Sequence, residues 1–190
     1  MRVPRQSHLP DARDHEECLK ILSLIRHPII KACCGLLYAC GLRIEEGTLL
    51  APDAIDKKRL TLLVIGKGDK ERLLPLPQAV YQMLRHAWCL HRNPRCLFSQ
   101  SVDGPPLSPE TVRDAVEAAC KEAGVQHATP HMFRHSFATR LTEYGVDLGK
   151  VRLMMGHASV STTARYTHMT DPLREEMRGV MDRFAADCVR

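Results

Sequence analysis

Apolar residues recur at helical spacing near the start of this chain. From Asp14 to about Ile25 they fall three and four positions apart, which predicts an amphipathic helix with Asp14 as its N-cap. Pro28 then begins a second helix over residues 29–40, and Gly41 ends it, since glycine readily adopts the left-handed conformation that follows many helices. Because this second helix is apolar along most of its length, we expect it to lie at the centre of the fold.

The later segments show strand patterns and then helix patterns. Two strands are predicted over residues 54–65 and 71–76, with the turn-forming residues 66–69 between them. Helices are predicted over residues 77–91, 108–124 (with Ser108 or Thr111 at its start), 131–144, 148–155, 159–166 and 171–186. Thr129 is the expected N-cap of the helix over 131–144, with Pro130 in its first turn. The whole pattern predicts an α+β fold, mainly α, in which a helical bundle carries a small antiparallel β-sheet or hairpin.

The composition is that of an ordinary globular domain. The chain has 190 residues, of which 44% are hydrophobic and 26% are charged, enough for one domain with a substantial core. The formal net charge of +5 mildly favours a polyanionic partner. Aromatic residues make up only 5% of the chain, so stacking on bases is not expected to dominate recognition.

Cysteine and histidine usage argues against a metal site. None of the eight cysteines forms a Cys-x-x-Cys pair, so we expect reduced, buried thiols and a cytoplasmic protein. His127, His131 and His135 fall at four-residue intervals, but Pro130 interrupts the helix between the first two. We therefore expect no metal and no cofactor. The sequence contains neither a signal-peptide pattern nor a membrane span, and no membrane partner is expected.

The C-terminal half of the chain gathers side chains that can handle a phosphate. Arginine binds phosphate through two parallel hydrogen bonds. His131 lies three residues before Arg134, so both can approach one phosphate from one helical face. A tyrosine hydroxyl can be a covalent nucleophile, and Tyr166 follows in the same region. An isolated helical tyrosine more often serves packing, which is the role assigned to the others: Tyr38, Tyr81 and Tyr144.

Five segments carry a resemblance to a known family. They read LYACGLRIEE (37–46), IGKGDKER (65–72), HMFR (131–134), MGH (155–157) and ARYTH (164–168). In this order and with this spacing, they resemble the tyrosine recombinases, the phage integrase and Xer-type family. Each segment alone is weak evidence, but six positions fall in register with the site of that family: Arg43, Lys67, His131, Arg134, His157 and Tyr166.

The resemblance implies covalent chemistry on DNA. Tyr166 is implied to attack a DNA phosphate and to form a phosphotyrosyl bond. Arg43 and Arg134 are then expected to hold the phosphate and to offset the charge that develops on its non-bridging oxygens. Glu46 stands where an acidic residue supports the site. Because Arg43 follows directly after the predicted central helix, it can be held rigidly.

The other implied site residues serve proton transfer and orientation. Lys67, at the tip of the predicted hairpin, is implied to protonate the departing 5′-oxygen, and Lys70 is its rival for this role. His131 can accept the tyrosine proton or orient the phosphate, and His157 can donate to a non-bridging oxygen. His135 is expected to pack or to support the site.

The implied function is that of a site-specific DNA recombinase or integrase, which cleaves and rejoins strands through a covalent 3′-phosphotyrosyl intermediate without metal or ATP. Double-stranded DNA is the implied partner, with a homo-tetramer formed when DNA sites are synapsed. Two alternatives stay open: a type IB topoisomerase that relaxes DNA, and a DNA-binding regulator with a vestigial active site. A recombinase exchanges strands between two DNA sites, a topoisomerase relaxes DNA without exchange, and a vestigial regulator binds DNA without cleaving it.

The boundaries of the domain follow from the same pattern. Residues 1–13 are predicted to be a flexible lead-in and residues 14–190 the catalytic domain. The N-terminal DNA-clamping domain of full-length family members is expected to be absent from this chain. Two interpretations of the last predicted helix are open: it docks on a neighbouring protomer, or it packs on its own domain. Gly47 is expected to cost about 1 kcal/mol if it lies inside a helix.

Overall fold

Eight α-helices and a three-stranded antiparallel sheet make up the part of the chain that the computed structural model describes, residues 13–66, 68–125, 129–156 and 170–189. The helices are α1 (His15–Leu24), α2 (Pro28–Cys40), α3 (Ile44–Thr48), α4 (Gln78–Cys89), α5 (Pro109–Ala123), α6 (His131–Glu143), α7 (Leu148–Met155) and α8 (Asp171–Ala185). The strands are β1 (Ile55–Asp56), β2 (Thr61–Ile65) and β3 (Glu71–Pro75). The predicted α+β, mainly α fold is confirmed. The predicted lead-in up to residue 12 and the helix predicted over 159–166 lie outside the described residues.

The helix α2 lies at the centre of the fold, as predicted. Eleven of its 13 residues are buried, and it packs against α1, α4, α6 and α8. Pro28 occupies its first turn, where a missing N–H costs nothing, and Gly41 ends it with φ +64°. Tyr38 is fully buried within it and is hydrogen bonded to His15 Nδ1 at 2.8 Å. This tyrosine therefore serves packing, as the sequence indicates.

Side chains cap some helices but not all that were expected. Asp14, the predicted N-cap of α1, and Ser108, one of the two predicted starts of α5, accept hydrogen bonds from first-turn amides at 2.7 and 3.1 Å. These bonds satisfy donors that have no partner within the helix. The predicted cap of α6 is wrong, because its N-cap is Pro130 and no side chain caps it. Thr129 contributes its backbone carbonyl instead, which accepts from the Met132 amide at 2.9 Å.

The sheet differs from the prediction at its first strand. The strand predicted over residues 54–65 is in fact two strands, β1 and β2, joined by a turn over residues 57–60. The Asp56 carboxylate accepts hydrogen bonds from the Lys58 and Arg59 amides at 2.9 and 3.1 Å, and Leu60 has φ +50°. These local hydrogen bonds compete with an extended strand, and the chain folds back into an antiparallel pair.

The strands β2 and β3 form the predicted hairpin. Their antiparallel register ends with Ile65 opposite Glu71. Beyond this pair, the Gly66 amide donates to the Lys70 carbonyl at 2.8 Å, which closes the base of the turn. Lys67, predicted at the tip, lies outside the described residues.

The short helix α3 is not predicted by the hydrophobic pattern, because its five residues are too few to show a period. Gly47 lies inside it, and a Cβ there would come within 2.6 Å of Leu37 Cδ2 on α2. Glycine lowers the intrinsic stability of a helix, but here it lets α3 lie directly against α2. Arg43 is the N-cap of α3 and is therefore fixed between two packed helices.

The last helix, α8, packs on its own domain, which is one of the two interpretations of this segment. Its buried apolar side consists of Met177, Val180, Met181, Phe184 and Ala185. The ring of Phe184 lies 6.0 Å from that of Tyr144 and 6.3 Å from that of Tyr38, measured between centroids. Such aromatic contacts add to the stabilisation from burial.

The cysteines behave as core residues. All eight are free, and six are buried. Burial raises the pKa of Cys18 and of Cys33 to about 12, so these thiols stay protonated and unreactive at neutral pH. Across the described ranges, no helix combines the length and apolar character needed to cross a membrane.

Replacing Gly41 with alanine should destabilise the fold far more than the same change at Gly124. Both glycines follow a helix with positive φ, +64° and +75°, which costs alanine about 1–2 kcal/mol. At Gly41 the new Cβ would also lie 2.2 Å from Phe137 Cδ1, whereas at Gly124 it would meet nothing within 4 Å. We expect a loss of at least about 3 kcal/mol for Gly41→Ala and of about 1 kcal/mol for Gly124→Ala in urea unfolding. Equal losses would contradict this account of Gly41.

Candidate active site

Glu46 is a buried carboxylate that two arginines bind at once. Its side chain is 5% exposed. Arg43 donates to it from the backbone amide at 2.8 Å and from the guanidinium at 2.7 Å, so that the pair caps the start of α3. Arg72, on β3, adds a two-pronged contact at 2.8 and 3.0 Å. Glu46 thus joins α3 to the hairpin, in the place where the sequence predicts a supporting acid.

Arg134 enters the same group from α6. Its guanidinium lies 3.8 Å from Glu46 Oε2, and its side chain is 7% exposed. Its terminal nitrogens donate to the backbone carbonyls of Gly41, at 2.5 Å, and of Met155, at the ends of α2 and α7, where helices leave carbonyls without internal partners. The structure therefore brings the two predicted arginines, from distant parts of the chain, to one carboxylate. We refer to Arg43, Arg72, Arg134 and Glu46 as the arginine–glutamate cluster.

Arg72 was not among the predicted site residues. Its Nε donates to the Met154 carbonyl at 3.2 Å, and its side chain is 11% exposed. Alternation along β3 is the signal that indicates this inward direction, because Arg72 and the buried Leu74 lie on the same face of the strand. A charged side chain on an inner face needs a partner, and Glu46 is that partner.

The arginine–glutamate cluster carries three positive charges against one negative charge. Burial alone would raise the pKa of Glu46, but hydrogen bonds from Arg72 and Arg43 outweigh it and lower the pKa to about 2. Burial and repulsion by Arg43 lower the pKa of Arg134 to about 10 despite the attraction of Glu46. Glu46 and Arg134 are therefore both charged at neutral pH. The Arg43 side chain is 35% exposed, more than Arg72 or Arg134, and can present the surplus charge to an external anion.

Two glycines border the cluster, and at Gly156 a larger residue would press against it. A Cβ on Gly66 would lie 3.4 Å from Glu46 Oε1. A Cβ on Gly156, which has φ +63°, would lie 3.2 Å from Arg72 Nη1. The backbone after α7 can approach Arg72 this closely because Gly156 carries no side chain. At Gly66 a Cβ would make an ordinary van der Waals contact.

Three of the six predicted site residues, Lys67, His157 and Tyr166, lie outside the described residues, and their roles stay predictions. Lys67 directly follows Gly66, and His157 directly follows Gly156. Gly66 and Gly156, the last described residues before them, lie against the arginine–glutamate cluster. Tyr166 has no such described neighbour.

His131 and the secondary candidates have less defined surroundings. His131 is the exposed first residue of α6, one turn before Arg134. Lys70, the rival of Lys67, is exposed on the far side of the hairpin turn, and His135 is half-buried on α6. In the part of the chain that the structure covers, no group of three or more histidine, cysteine or acidic residues could hold a metal ion.

Known proteins are similar to this chain in sequence and in fold. The profile of the phage integrase family matches residues 14–172. Tyrosine recombinase XerD of Corynebacterium glutamicum is 34% identical over 93% of this chain and 63% of the relative, and the chain spans about half the length of the curated relatives it matches. The integrase of mycobacterium phage Brujita superposes with a TM-score of 0.75 at 27% identity, covering 100% of this chain and 67% of that one. The XerH site-specific recombinase, bound to difH substrate in a pre-cleavage complex, superposes with a TM-score of 0.69 at 26% identity. The match covers 93% of this chain and 56% of that one.

Replacing Glu46 with glutamine should destabilise the protein in a pH-dependent way. The pKa of Glu46 is lowered from 4.5 to about 2, so its charge stabilises the fold above pH 4.5 and loses this effect as the pH falls toward 2. We expect Glu46→Gln to lose about 3 kcal/mol at pH 7. The gap to the wild type should narrow below pH 4.5 in urea unfolding followed across pH.

Glu45→Gln is the matched control. Glu45 is the residue before Glu46 in α3, but its side chain is exposed, and its ion pair with Arg113, at 3.4 Å, is exposed as well. An exposed ion pair contributes little, so the expected loss is about 0.5 kcal/mol. A loss at Glu46 that equals this control, or that does not change with pH, would refute the role assigned to its charge.

Proposed function

This chain belongs to the phage integrase family, and on that premise we propose that it acts as a site-specific DNA recombinase or integrase, which cleaves and rejoins strands through a covalent 3′-phosphotyrosyl intermediate. The convergence of Arg43 and Arg134 on the buried Glu46 carries the proposal. Such an arrangement presents fixed positive charge to an anion, and double-stranded DNA is the polyanion that we propose. Its partners in synapsis are further copies of the same protein, as a homo-tetramer, and its place of action is the cytoplasm.

The arginines act on the charge of the reacting phosphate. When a nucleophile adds to phosphorus, negative charge grows on the non-bridging oxygens, and a preorganised guanidinium stabilises that charge without reorganising. Arg43 faces outward with its side chain 35% exposed, while Glu46 holds it in place. Arg134 is anchored on backbone carbonyls, and its remaining N–H groups can reach the same phosphate.

Tyr166 is the proposed nucleophile. Its hydroxyl oxygen forms a bond to phosphorus as the bond from phosphorus to the 5′-oxygen breaks, and the tyrosine proton goes to His131 or to water. Lys67 supplies a proton to the departing 5′-oxygen, and His157 donates a hydrogen bond to a non-bridging oxygen. Because one phosphate ester replaces another, the bond energy is retained, and rejoining by the 5′-hydroxyl requires no ATP.

The two alternatives differ from this proposal in outcome. A type IB topoisomerase shares the covalent step but relaxes DNA without pairing two sites. A vestigial regulator binds DNA and forms no adduct. The similarity to recombinases at 34% identity over 93% of the chain supports strand exchange over relaxation. The buried charge of the arginine–glutamate cluster supports an active enzyme, since such a cluster is costly to bury.

Replacing Tyr166 with phenylalanine should abolish covalent trapping of DNA while leaving DNA affinity within about twofold, because the hydroxyl serves chemistry and not docking. A nicked suicide substrate, incubated with the full-length protein without magnesium, should yield a denaturant-resistant complex with the wild type only. Tyr81→Phe is the control, since Tyr81 is a partly buried residue packed against the core, and it should trap DNA normally. Undiminished trapping by Tyr166→Phe would overturn the assignment, and an adduct on Tyr144 would redirect it.

Replacing Lys67 with alanine should slow cleavage of ordinary DNA by about 10² to 10⁴. A substrate whose bridging 5′-oxygen is replaced by sulfur has a leaving group that needs no proton, so the variant should recover most of its rate there. Lys70→Ala is the control and should cleave both substrates normally. Equal defects of Lys67→Ala on the two substrates would reduce Lys67 to a phosphate contact, and rescue confined to Lys70→Ala would move the acid to Lys70.

A further inference from the structure

Arg72 connects three segments that lead to predicted site residues. Its terminal nitrogens bind Glu46 at 2.8 and 3.0 Å, and Glu46 in turn holds Arg43. Its Nε donates to the Met154 carbonyl at the end of α7 at 3.2 Å. A Cβ on Gly66 would lie 3.5 Å from Arg72 Nη1, so the guanidinium also lies against the base of the hairpin turn.

The shape of the guanidinium explains why one side chain can connect these segments. Its donors lie in one rigid plane, so that fixing the terminal nitrogens on Glu46 also fixes the direction of Nε toward Met154. The backbone at Gly156 lies against this plane, with its Cβ position 3.2 Å from Arg72 Nη1. A movement of Arg72 therefore moves β3, the end of α7 and Glu46 relative to one another.

The burial of Arg72 decides what kind of role it can have. Only 11% of its side chain is exposed, and its named donors already bind Glu46 and Met154. Each of its three guanidinium nitrogens thus holds another part of the protein in place, whereas the Arg43 side chain, 35% exposed, is the most open of the three arginines to a DNA phosphate.

We propose that Arg72 is a positioning residue for strand cleavage: it sets the backbone at Gly66 and at Gly156 in place relative to the phosphate-binding Arg43. This inference rests on the proposed function for its effect on cleavage, but its structural part does not. A placement error of about 1 Å can cost about a hundredfold in rate.

The structural part is tested by amide hydrogen exchange in the full-length protein. The Gly66 amide donates to the Lys70 carbonyl at 2.8 Å, and the Gly156 amide to the Leu153 carbonyl at 3.2 Å. In Arg72→Ala both amides should exchange at least about tenfold faster, because local opening becomes easier. The Gly124 amide makes a comparable bond to the Lys121 carbonyl at 3.2 Å and should exchange as in the wild type.

A second variant covers the case in which Arg72→Ala fails to fold. Arg72→Lys keeps a positive charge beside Glu46 but loses the planar fork, so the Gly66 and Gly156 amides should still exchange about threefold faster. Arg113→Ala is the control, since Arg113 pairs with the exposed Glu45 at 3.4 Å, and it should leave both amides unchanged. Acceleration at only one of the two glycines, or at neither, overturns the proposal.

The functional part is tested by single-turnover cleavage of the suicide substrate together with DNA affinity. We expect Arg72→Lys to cleave about tenfold to a hundredfold more slowly with a dissociation constant within about twofold of the wild type. Gly124→Ala lowers the stability of the fold at a position away from the cluster and should cleave at the wild-type rate. This control separates an effect on positioning from a general loss of stability. A wild-type rate for Arg72→Lys, or a rate loss explained by weaker DNA binding, overturns the proposal. If the wild type itself does not cleave, the proposed function fails. The hydrogen exchange of the Gly66 and Gly156 amides still tests whether Arg72 holds these two backbone segments in place.

Discussion

The burial of Glu46 is the interaction on which the rest of the site depends. A carboxylate that is 5% exposed is tolerated only when charged partners replace the lost water. Here the partners are guanidinium groups from α3, β3 and α6. Arg72 and Arg134 are largely buried beside this carboxylate, and the carboxylate and the arginines each compensate the other's loss of water. The arrangement therefore forms as a unit, and it fixes the mutual positions of elements that are far apart in the sequence.

The same arrangement is not electrically balanced, and this imbalance suits it to bind an anion. Three guanidinium groups around one carboxylate repel one another, which contributes to the lowered pKa of Arg134. A phosphate placed against Arg43 relieves part of that repulsion. Because binding and stability are linked, a ligand that binds the charged cluster also stabilises the fold that holds it. The folded protein thus maintains a charge distribution that a bound anion would make more favourable.

The sequence predicts those parts of the fold that depend on local chemistry. Pro28 and Gly41 set the limits of α2, and Gly156 sets the end of α7. Each of these residues acts within its own turn, so the sequence shows its effect directly. The split of the predicted first strand was missed, since the apolar pattern over 54–65 does not show the local hydrogen bonds that Asp56 accepts from the Lys58 and Arg59 amides. The helix α3 was missed because five residues show no period.

Among the described residues, the sequence predicts Arg43, Glu46 and Arg134, but not Arg72 and not how these side chains are connected. The family resemblance indicates Arg43 and Arg134, and the structure brings both to Glu46. That Arg134 is anchored on the carbonyls of Gly41 and Met155 depends on how α2, α6 and α7 pack together, which no local pattern contains. Arg72 is an intermediate case. The alternation along β3 points it inward, but only the tertiary structure shows which carboxylate it meets.

Glycines near the predicted site residues acquire a common physical explanation. A Cβ on Gly156 would press against Arg72, and one on Gly66 would be in contact with Glu46 and Arg72. A Cβ on Gly41 would collide with Phe137. A guanidinium is flat and wide, and backbone can lie against it closely only where no side chain intervenes. Gly66 and Gly156 therefore border the arginine–glutamate cluster, and the Gly41 carbonyl binds Arg134, so these three glycines contribute to the cluster as well as to their turns. The turn conformations and the charged cluster constrain each other, so a change at one of these glycines acts on the arginines without touching them chemically.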